Sequence, residues 1–401
     1  MYDIAVVGAG ASGLAAAISA KRENPSVKVV LIEALPRVGK KILATGNGRC
    51  NLTNLNIKKG EYSNASFASF ALKEYPPKKV IEIFESIGLM CTQDFEGRVY
   101  PMSNTAASVL ECLRLEVYRL GIDIMVDTPV RSIKKNGDVF IINNSVKSKK
   151  VIVSGGGKSS PAQGSDGSCY PLLRSFGHKI TELYPGLVQL TVKETDVKSM
   201  KGVRVKASIN LFVNSELAAH SEGEVLFTDY GISGIAVMDI SRTASKFGGL
   251  CRIDLLPKLS GNEVSDFLSG RKNISPNGEI QNALTGLLPS AVGRAVLKRV
   301  NILPNTAMSK LTDNDLRRIS RTLKDFRLTV TGTKGFTNAQ ITVGGADVSE
   351  FNAKTMESFK VKGLYCTGEV LDVDAVCGGY NLQWAWASGL LAGKSAAMKI
   401  V

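Results

Sequence analysis

Histidine is almost missing: the 401 residues hold only His178 and His220, far apart in the chain. A metal centre built on histidine therefore has no support, and no metal is expected. Cysteine occurs seven times, at Cys50, Cys91, Cys112, Cys169, Cys251, Cys366 and Cys377, but never as C-x-x-C. That spacing excludes a zinc-binding knuckle and a vicinal dithiol redox pair, and the odd number reads as reduced thiols. Convincing export and membrane signals are lacking too. Residues 4–20 are apolar, but Asp3 stands where a signal peptide carries positive charge. Residues 375–393 are free of charge, yet they contain Gly378, Gly379, Asn381, Gln383 and Ser388. Such a stretch suits a buried helix beside a polar ligand better than one in lipid. A cytoplasmic location is the default expectation.

No internal repeat or low-complexity tract is present, and 44% hydrophobic with 21% charged residues is the balance of a folded globular chain. The length points to two or three domains. The net charge of +14 favours anionic partners such as nucleic acid, nucleotide phosphates or an anionic membrane surface. The lysines are scattered, as in Lys147, Lys149 and Lys150 or Lys198 and Lys201, so a solvated surface is the first reading.

Residues 3–7 read as an apolar strand, 11–22 as a helix of small residues and 27–32 as a second strand, with Asn24 and Pro25 marking the return. Helical spacing recurs at 77–88 and at 106–120, the latter stopped by Gly121. A buried strand at 151–153 runs into Gly155, Gly156 and Gly157. Alternating strand patterns follow at 188–192, 203–213 and 224–227, then short helical segments between 259 and 323. Strands return at 326–330, 340–343 and 363–367, the last leading to Gly368, Glu369 and a final helix. The expected organisation is a discontinuous α/β nucleotide-binding domain over 1–186 and 336–401. It is interrupted by a β-rich domain (187–258 and 324–335) that itself carries a helical subdomain (259–323).

The chemistry begins in the first βαβ unit. Gly8 permits the tight turn off the strand, Gly10 lets the backbone approach a pyrophosphate, and Gly13 lets helix and strand pack closely. The helix start, with Ala11 and Ser12, offers free N–H groups and the positive end of a dipole to an anion. Glu33, twenty residues after Gly13, stands where a carboxylate binds both ribose hydroxyls of an adenosine. NAD and FAD share this fingerprint, so two further clusters decide between them. Residues 39–54 pack glycine, positive charge and amides into one loop that includes Lys40, Lys41, Gly48, Arg49, Cys50 and Asn51. Near the C-terminus, the Glu369 carboxylate after Gly368 suits ribityl hydroxyls. The helix opened by Gly379, Tyr380, Asn381 and Leu382 would aim its amino end at the pyrimidine edge of a flavin. Val130, Gly155 and Gly156 complete the candidate contacts to the cofactor, which on these grounds is FAD. Trp384 and Trp386 read as core packing.

Taken together these motifs resemble, over essentially the whole chain, the HI0933-like or BaiN-like group of bacterial flavoproteins, also known as aminoacetone oxidase-like FAD-binding enzymes. The likeness rests on the fingerprint, on the runs 45–54 and 363–393, and on 155–167 with its Gly-Gly-Lys-Ser pattern. It implies a glutathione-reductase-like FAD-binding Rossmann domain with an inserted β-barrel-like domain and small helical subdomain, non-covalent FAD, and NAD(P)H-linked reduction. One branch of the group reduces carbon–carbon double bonds of oxo-bile acids. The family often has a histidine within the segment that here reads Phe227, Thr228, Asp229, Tyr230, Gly231, and a proline where this chain has Ile235. Asp229 or Tyr230 would then replace that histidine in proton transfer, and Tyr380 is a further candidate acid. No second G-x-G-x-x-G follows, so NAD(P)H is expected to bind transiently in a differently built cleft. The leading expectation is a flavin-dependent oxidoreductase of a small organic substrate. The alternative, prompted by the charge and by tRNA-modifying enzymes that share this FAD architecture, is an RNA-acting flavoprotein.

Overall fold

The computed structural model describes residues 1–398. Two compact units divide the chain: Met1–Tyr184 with the chain from Gln340 onward, and the intervening Pro185–Ala339.

In the first unit, Tyr2–Val7 and Val29–Ile32 are apolar along nearly their whole length and become buried parallel strands, with Ile4 opposite Val29 and Val7 opposite Ile32. The sheet has seven strands. Its path runs Asp123–Met125, Val29–Ile32, Tyr2–Val7, Val146–Val153, Val139–Ile142, Ile133–Asn136. Leu364–Cys366 joins in parallel beside the carboxyl half of Val146–Val153, while Val139–Ile142 pairs antiparallel with its amino half. The parallel registers bring the carboxyl ends of Tyr2–Val7, Val29–Ile32, Val146–Val153 and Leu364–Cys366 to one edge. The segments that follow those strands, at 8–13, 33, 154–157 and 367–369, therefore converge, as in open α/β sheets that bind ligands at the strand ends.

The helices Ala11–Glu23 and Tyr380–Met398 pack with their backbones close together. A Cβ on Gly389 would stand 2.3 Å from the carbonyl oxygen of Ser12, and one on Gly393 would stand 2.1 Å from that of Ala16. Ser19 Oγ donates to Leu390 O at 2.7 Å across the same contact. The uncharged stretch 375–393 thus owes its composition to burial in protein.

In the second unit six antiparallel strands close into a barrel. Their order is Leu190–Val192, Gly231–Ser233, Glu216–Phe227, Arg204–Val213, Gly249–Asp254, Phe326–Thr333, and back to the first. The helices Gly261–Ile274, Ile280–Thr285, Ser290–Arg299 and Asp313–Lys324 all lie between two strands that are neighbours in the barrel, so they hang from one connection. Ser260 with Glu263, and Thr312 with Asp315, form capping boxes that start the first and last of them. The helices Ala65–Glu74, Cys169–Ser175 and Ile235–Phe247 and the strands Asp123–Met125, Ile133–Asn136, Val139–Ile142 and Gly249–Asp254 are among the elements without a counterpart in the sequence reading, and Glu216–Phe227 begins eight residues before the expected 224.

Candidate functional site

The three fingerprint glycines differ in what surrounds them. A Cβ on Gly8, whose φ is 96°, would lie 2.7 Å from Gly155 Cα, and one on Gly13 would lie 1.9 Å from Gly8 O. Backbone packing demands both. Gly10 meets no protein atom within 4 Å on its Cβ side, and it is the N-cap of Ala11–Glu23 with no side chain capping that helix. The helix start is thus open on the Gly10 side, and no side-chain cap bonds its first N–H donors or offsets its positive dipole end. Glu33, 9% exposed, is held beside it: Ala9 N–H donates to Oε2 and Leu35 N–H to Oε1, both at 2.9 Å. Ser12 is buried, its hydroxyl 2.5 Å from where a Cβ on Gly368 would stand.

Lys40 and Lys41 reach different partners. Lys40 Nζ donates to Ala162 O at 2.8 Å. Lys41 Nζ pairs with Glu369 Oε2 at 2.7 Å, and Thr342 N–H donates to Glu369 Oε1 at 2.8 Å. A Cβ on Gly157 would fall 2.3 Å from Thr342 Oγ1 and 2.8 Å from Glu369 Oε1, so no side chain fits between the backbone there and this carboxylate. Thr342 Oγ1 accepts in turn from Lys158 N and Ser159 N, at 2.7 and 3.1 Å. Gly155 packs on Cys169, and Gly156 adopts φ 73° next to it. Gly368 N–H donates to Ser388 Oγ at 2.9 Å, tying the carboxylate turn to the last helix.

The run 51–54 is sewn to that helix. With its amide oriented to satisfy both neighbours, Asn51 donates to Thr53 O at 2.9 Å and accepts from Gly379 N–H at 3.1 Å. Thr53 Oγ1 donates to Gln383 Oε1 (2.7 Å), Asn54 Nδ2 to Gly378 O (3.1 Å), and Trp386 Nε1 to Leu52 O (3.0 Å). Trp384 Nε1 donates to Gly368 O at 3.1 Å, so both tryptophans are buried with their N–H groups satisfied. Asn381 turns inward, its Oδ1 accepting from Ala375 N and its Nδ2 donating to Ala375 O, which closes the loop before the helix. Leu382 and Val130 pack half-buried against the core of this unit. Gly48, at φ 83°, and Arg49 are exposed, the Arg49 guanidinium lying 4.7 Å above the Tyr100 ring. Cys50 is fully buried at φ 59°, and burial pushes its thiol up to about 12, so it offers backbone rather than a thiolate.

Among the described residues, the buried side-chain atoms of this unit that lack a hydrogen-bond partner within the protein include Gln163 Oε1, Tyr170 OH and Thr367 Oγ1. Gln163 lies between Ala162, which accepts from Lys40, and Gly164, whose Cβ would come 3.8 Å from Glu33 Oε1. Thr367 immediately precedes Gly368, and burial followed by the charge of Glu369 raises the Tyr170 hydroxyl. Buried polar atoms without protein partners border this edge at several points, as expected where a polar ligand completes the bonding. Sequence reasoning missed Gln163, Thr342, Tyr170, Thr367 and Ser388. None carries a local motif: Thr342 and Ser388 bond residues distant in the chain, and Gln163, Tyr170 and Thr367 stand out only by their burial.

The candidate acids have distinct surroundings. Tyr380 is 8% exposed, its ring centroid 5.6 Å from that of Tyr62 and its hydroxyl 3.4 Å from both Asn56 O and Lys58 N. Asp229 and Tyr230 belong to the barrel unit. The Lys201 ammonium bonds Asp229 at 2.7 Å and holds its carboxyl below the usual range, the state of an anion rather than a proton donor. Lys334 Nζ stands 4.6 Å over the Tyr230 ring. Among the described residues no group of His, Cys, Asp and Glu is placed to hold a metal ion, and no helix is long and apolar enough to cross a membrane.

Comparison with known proteins places this geometry. Residues 2–395 match the family described as HI0933-like protein Rossmann domain. The chain is 40% identical over 409 residues to the 3-dehydro-bile acid delta(4,6)-reductase of Clostridium scindens, covering 99% of each chain. It is 30% identical over 392 residues to the ribosomal RNA dihydrouridine synthase of Escherichia coli, covering 96% of each. The 3-ketosteroid delta1-dehydrogenase of Sterolibacterium denitrificans shares the fold at a TM-score of 0.51 and 13% identity, over all of both chains. With its Rossmann-type FAD-binding fold and inserted barrel, the chain belongs to the HI0933-like family and is a flavin-dependent oxidoreductase.

Proposed function

We propose that the chain holds FAD non-covalently along the edge described above and uses it to couple NAD(P)H oxidation to reduction of a carbon–carbon double bond conjugated with a carbonyl in a small organic substrate. The observation that carries the cofactor assignment is the open Cβ side of Gly10 at an uncapped helix start, next to the buried carboxylate of Glu33. The N–H groups of Ala11, Ser12 and Gly13 would meet the pyrophosphate, Glu33 the adenosine ribose, and Lys41 with Glu369 the ribityl chain. Gln163, Tyr170 and Thr367 supply polar atoms still able to bond a hydroxyl-rich ligand. The uncharged start of Tyr380–Met398, fixed by Asn51 and Asn381, would set a positive dipole end against the pyrimidine edge. Bound FAD supplies the two-electron carrier that the protein's own side chains lack.

The bond class is supported by the relatives' names. A delta(4,6)-reductase acting on a 3-dehydro-bile acid reduces double bonds conjugated with a ketone. The test is anaerobic mixing of the FAD-loaded protein with NADH or NADPH, followed by a panel of enones. The reading requires bleaching of the flavin absorbance by a nicotinamide and its return on adding an enone. Flavin that stays oxidised with both nucleotides, or that no enone reoxidises, rejects it.

A second reading keeps the bond and changes its carrier. Uridine presents a double bond conjugated with a carbonyl, and the relative named for dihydrouridine synthesis in ribosomal RNA aligns over 96% of this chain. The net charge of +14 suits an RNA substrate. Mass spectrometry of nucleosides from ribosomal RNA incubated with enzyme and NAD(P)H separates the two: dihydrouridine appears only if the acceptor is carried by RNA.

A further inference from the structure

The helical part of the barrel unit carries a concentration of positive charge of which the fold pairs only a part. Residues 290–324 contain eight lysines and arginines against two acidic residues. Three of the basic side chains have internal tasks. Arg299 binds Asp196 at 2.6 and 3.0 Å, Arg318 bonds Asp315 and Val300 O, and Lys324 bonds Asp254 and Leu256 O. Arg294, Lys298, Lys310, Arg317 and Arg321 are exposed and form no ion pair among the described residues.

Four of these stand as pairs one turn apart, Arg294 with Lys298 on Ser290–Arg299 and Arg317 with Arg321 on Asp313–Lys324. Lys298 and Arg321 lie in the last turns of their helices, where the dipole favours a cation, but like charges at this spacing share a helix face and repel, so an anion set against each pair would relieve it. The helices are neighbours: the bond from Arg318 to Val300 O joins the carboxyl end of the first to a residue flanked by Arg317 in the second. Their apolar faces are already buried through Val292, Val296, Leu316, Ile319 and Leu323. A membrane surface would need an apolar face free to insert, and these helices have none. Guanidinium groups held on a rigid scaffold instead suit the forked hydrogen bonding of phosphates.

We propose that this face, centred on Arg294, Lys298, Arg317 and Arg321, is a docking surface for the phosphate backbone of RNA. The inference rests on the RNA-borne reading of the acceptor. The experiment measures binding of a fluorescent ribosomal RNA stem-loop to the full FAD-loaded protein across a salt series. It compares wild type with R294Q/K298Q, R317Q/R321Q and the quadruple combination, and with K134Q/K147Q as a control of reduced net charge. Thermal midpoint and flavin content verify folding, and R294K/R317K should retain binding. The quadruple variant should bind at least about tenfold more weakly, with a log–log salt slope shallower by about three, the value for four lost phosphate contacts at about 0.7 each. The double variants should fall between, and the control should match wild type. RNA binding that is absent in wild type, or unchanged in the quadruple variant, overturns the surface; so does binding to phosphatidylserine vesicles with none to RNA. If binding behaves as expected but no dihydrouridine forms, the reading of the acceptor falls while the surface stands.

Discussion

Lys41 Nζ sits 2.7 Å from Glu369 Oε2, a bond between residues 328 positions apart that closes the amino-terminal loop onto the turn before the last helix. Both side chains are about three-quarters buried, 24% and 22% exposed, so the pair is less screened than a surface bridge. Replacing Lys41 by Met leaves Glu369 with Thr342 N–H as its remaining bonded donor. Loss of a charge-assisted hydrogen bond is worth about 1.5–3 kcal/mol. If this pair borders the ribityl chain, K41M should raise the dissociation constant for FAD roughly ten- to hundredfold, measured by fluorescence of released flavin. An unchanged constant would assign the pair to loop packing alone.

The fingerprint glycines should separate binding from folding. Gly10 has φ −80° and empty space where a side chain would go. Gly10→Val should therefore leave the unfolding midpoint of the apoprotein within about 2 °C of wild type while sharply weakening FAD. Gly13→Ala instead drives a methyl to 1.9 Å from Gly8 O, an overpacking expected to cost at least about 1–3 kcal/mol before any ligand is added. Equal loss of stability in both apoproteins would remove the assignment of Gly10 to the ligand face.

How much of this was legible depends on how local the cause is. Gly8, Gly10, Gly13 and Glu33 could be read because one βαβ unit encodes the turn, the close approach and the carboxylate within 33 residues. The link between the 51–54 run and Gly379 could not, because its bonds join residues separated by more than three hundred positions. Ile235–Phe247 escaped notice for another reason. Asp239, Ser241, Thr243 and Ser245 give it weak intrinsic preference, and the burial of Ala236, Val237, Ile240 and Ala244 supplies what propensity withholds. The early part of Glu216–Phe227 is largely exposed and carries little apolar alternation, so its strand is fixed by pairing with Arg204–Val213 instead.

Close contact between the first and last helices makes Gly389 and Gly393 sensitive positions. A methyl group at either would stand within 2.3 Å of a carbonyl oxygen of Ala11–Glu23, and backbone is less able to yield than a side chain. Gly389→Ala should destabilise the protein by about 1–3 kcal/mol, read by urea denaturation. The same substitution at Gly270, where a Cβ meets nothing within 4 Å, should be neutral or slightly stabilising through its helix propensity. A Gly389→Ala protein as stable as wild type would show that the helices can part without cost.

His178 gives the clearest pH dependence. Its side chain is wholly buried, stacked on Phe351 at 4.5 Å, with Nδ1 2.8 Å from Glu350 Oε2 and Nε2 2.9 Å from Ser358 Oγ. Burial lowers its pKa from the ordinary 6.5, and the nearby Lys360 ammonium acts in the same direction; Glu350 opposes them without reversing the shift. A lowered value means the unfolded chain takes up the proton first. The neutral ring therefore contributes stability that is fully present above about pH 6.5 and is lost as the pH falls through the folded-state value. Glu350 is itself held below the usual carboxylate range by Lys360, Lys179 N–H and His178, so its own loss begins at lower pH and does not blur this window. The thermal midpoint of wild type should decline between about pH 7 and pH 5, whereas His178→Gln, less stable at neutral pH, should show a flatter profile there. Parallel profiles for the two proteins would mean that the acid limb arises from another group.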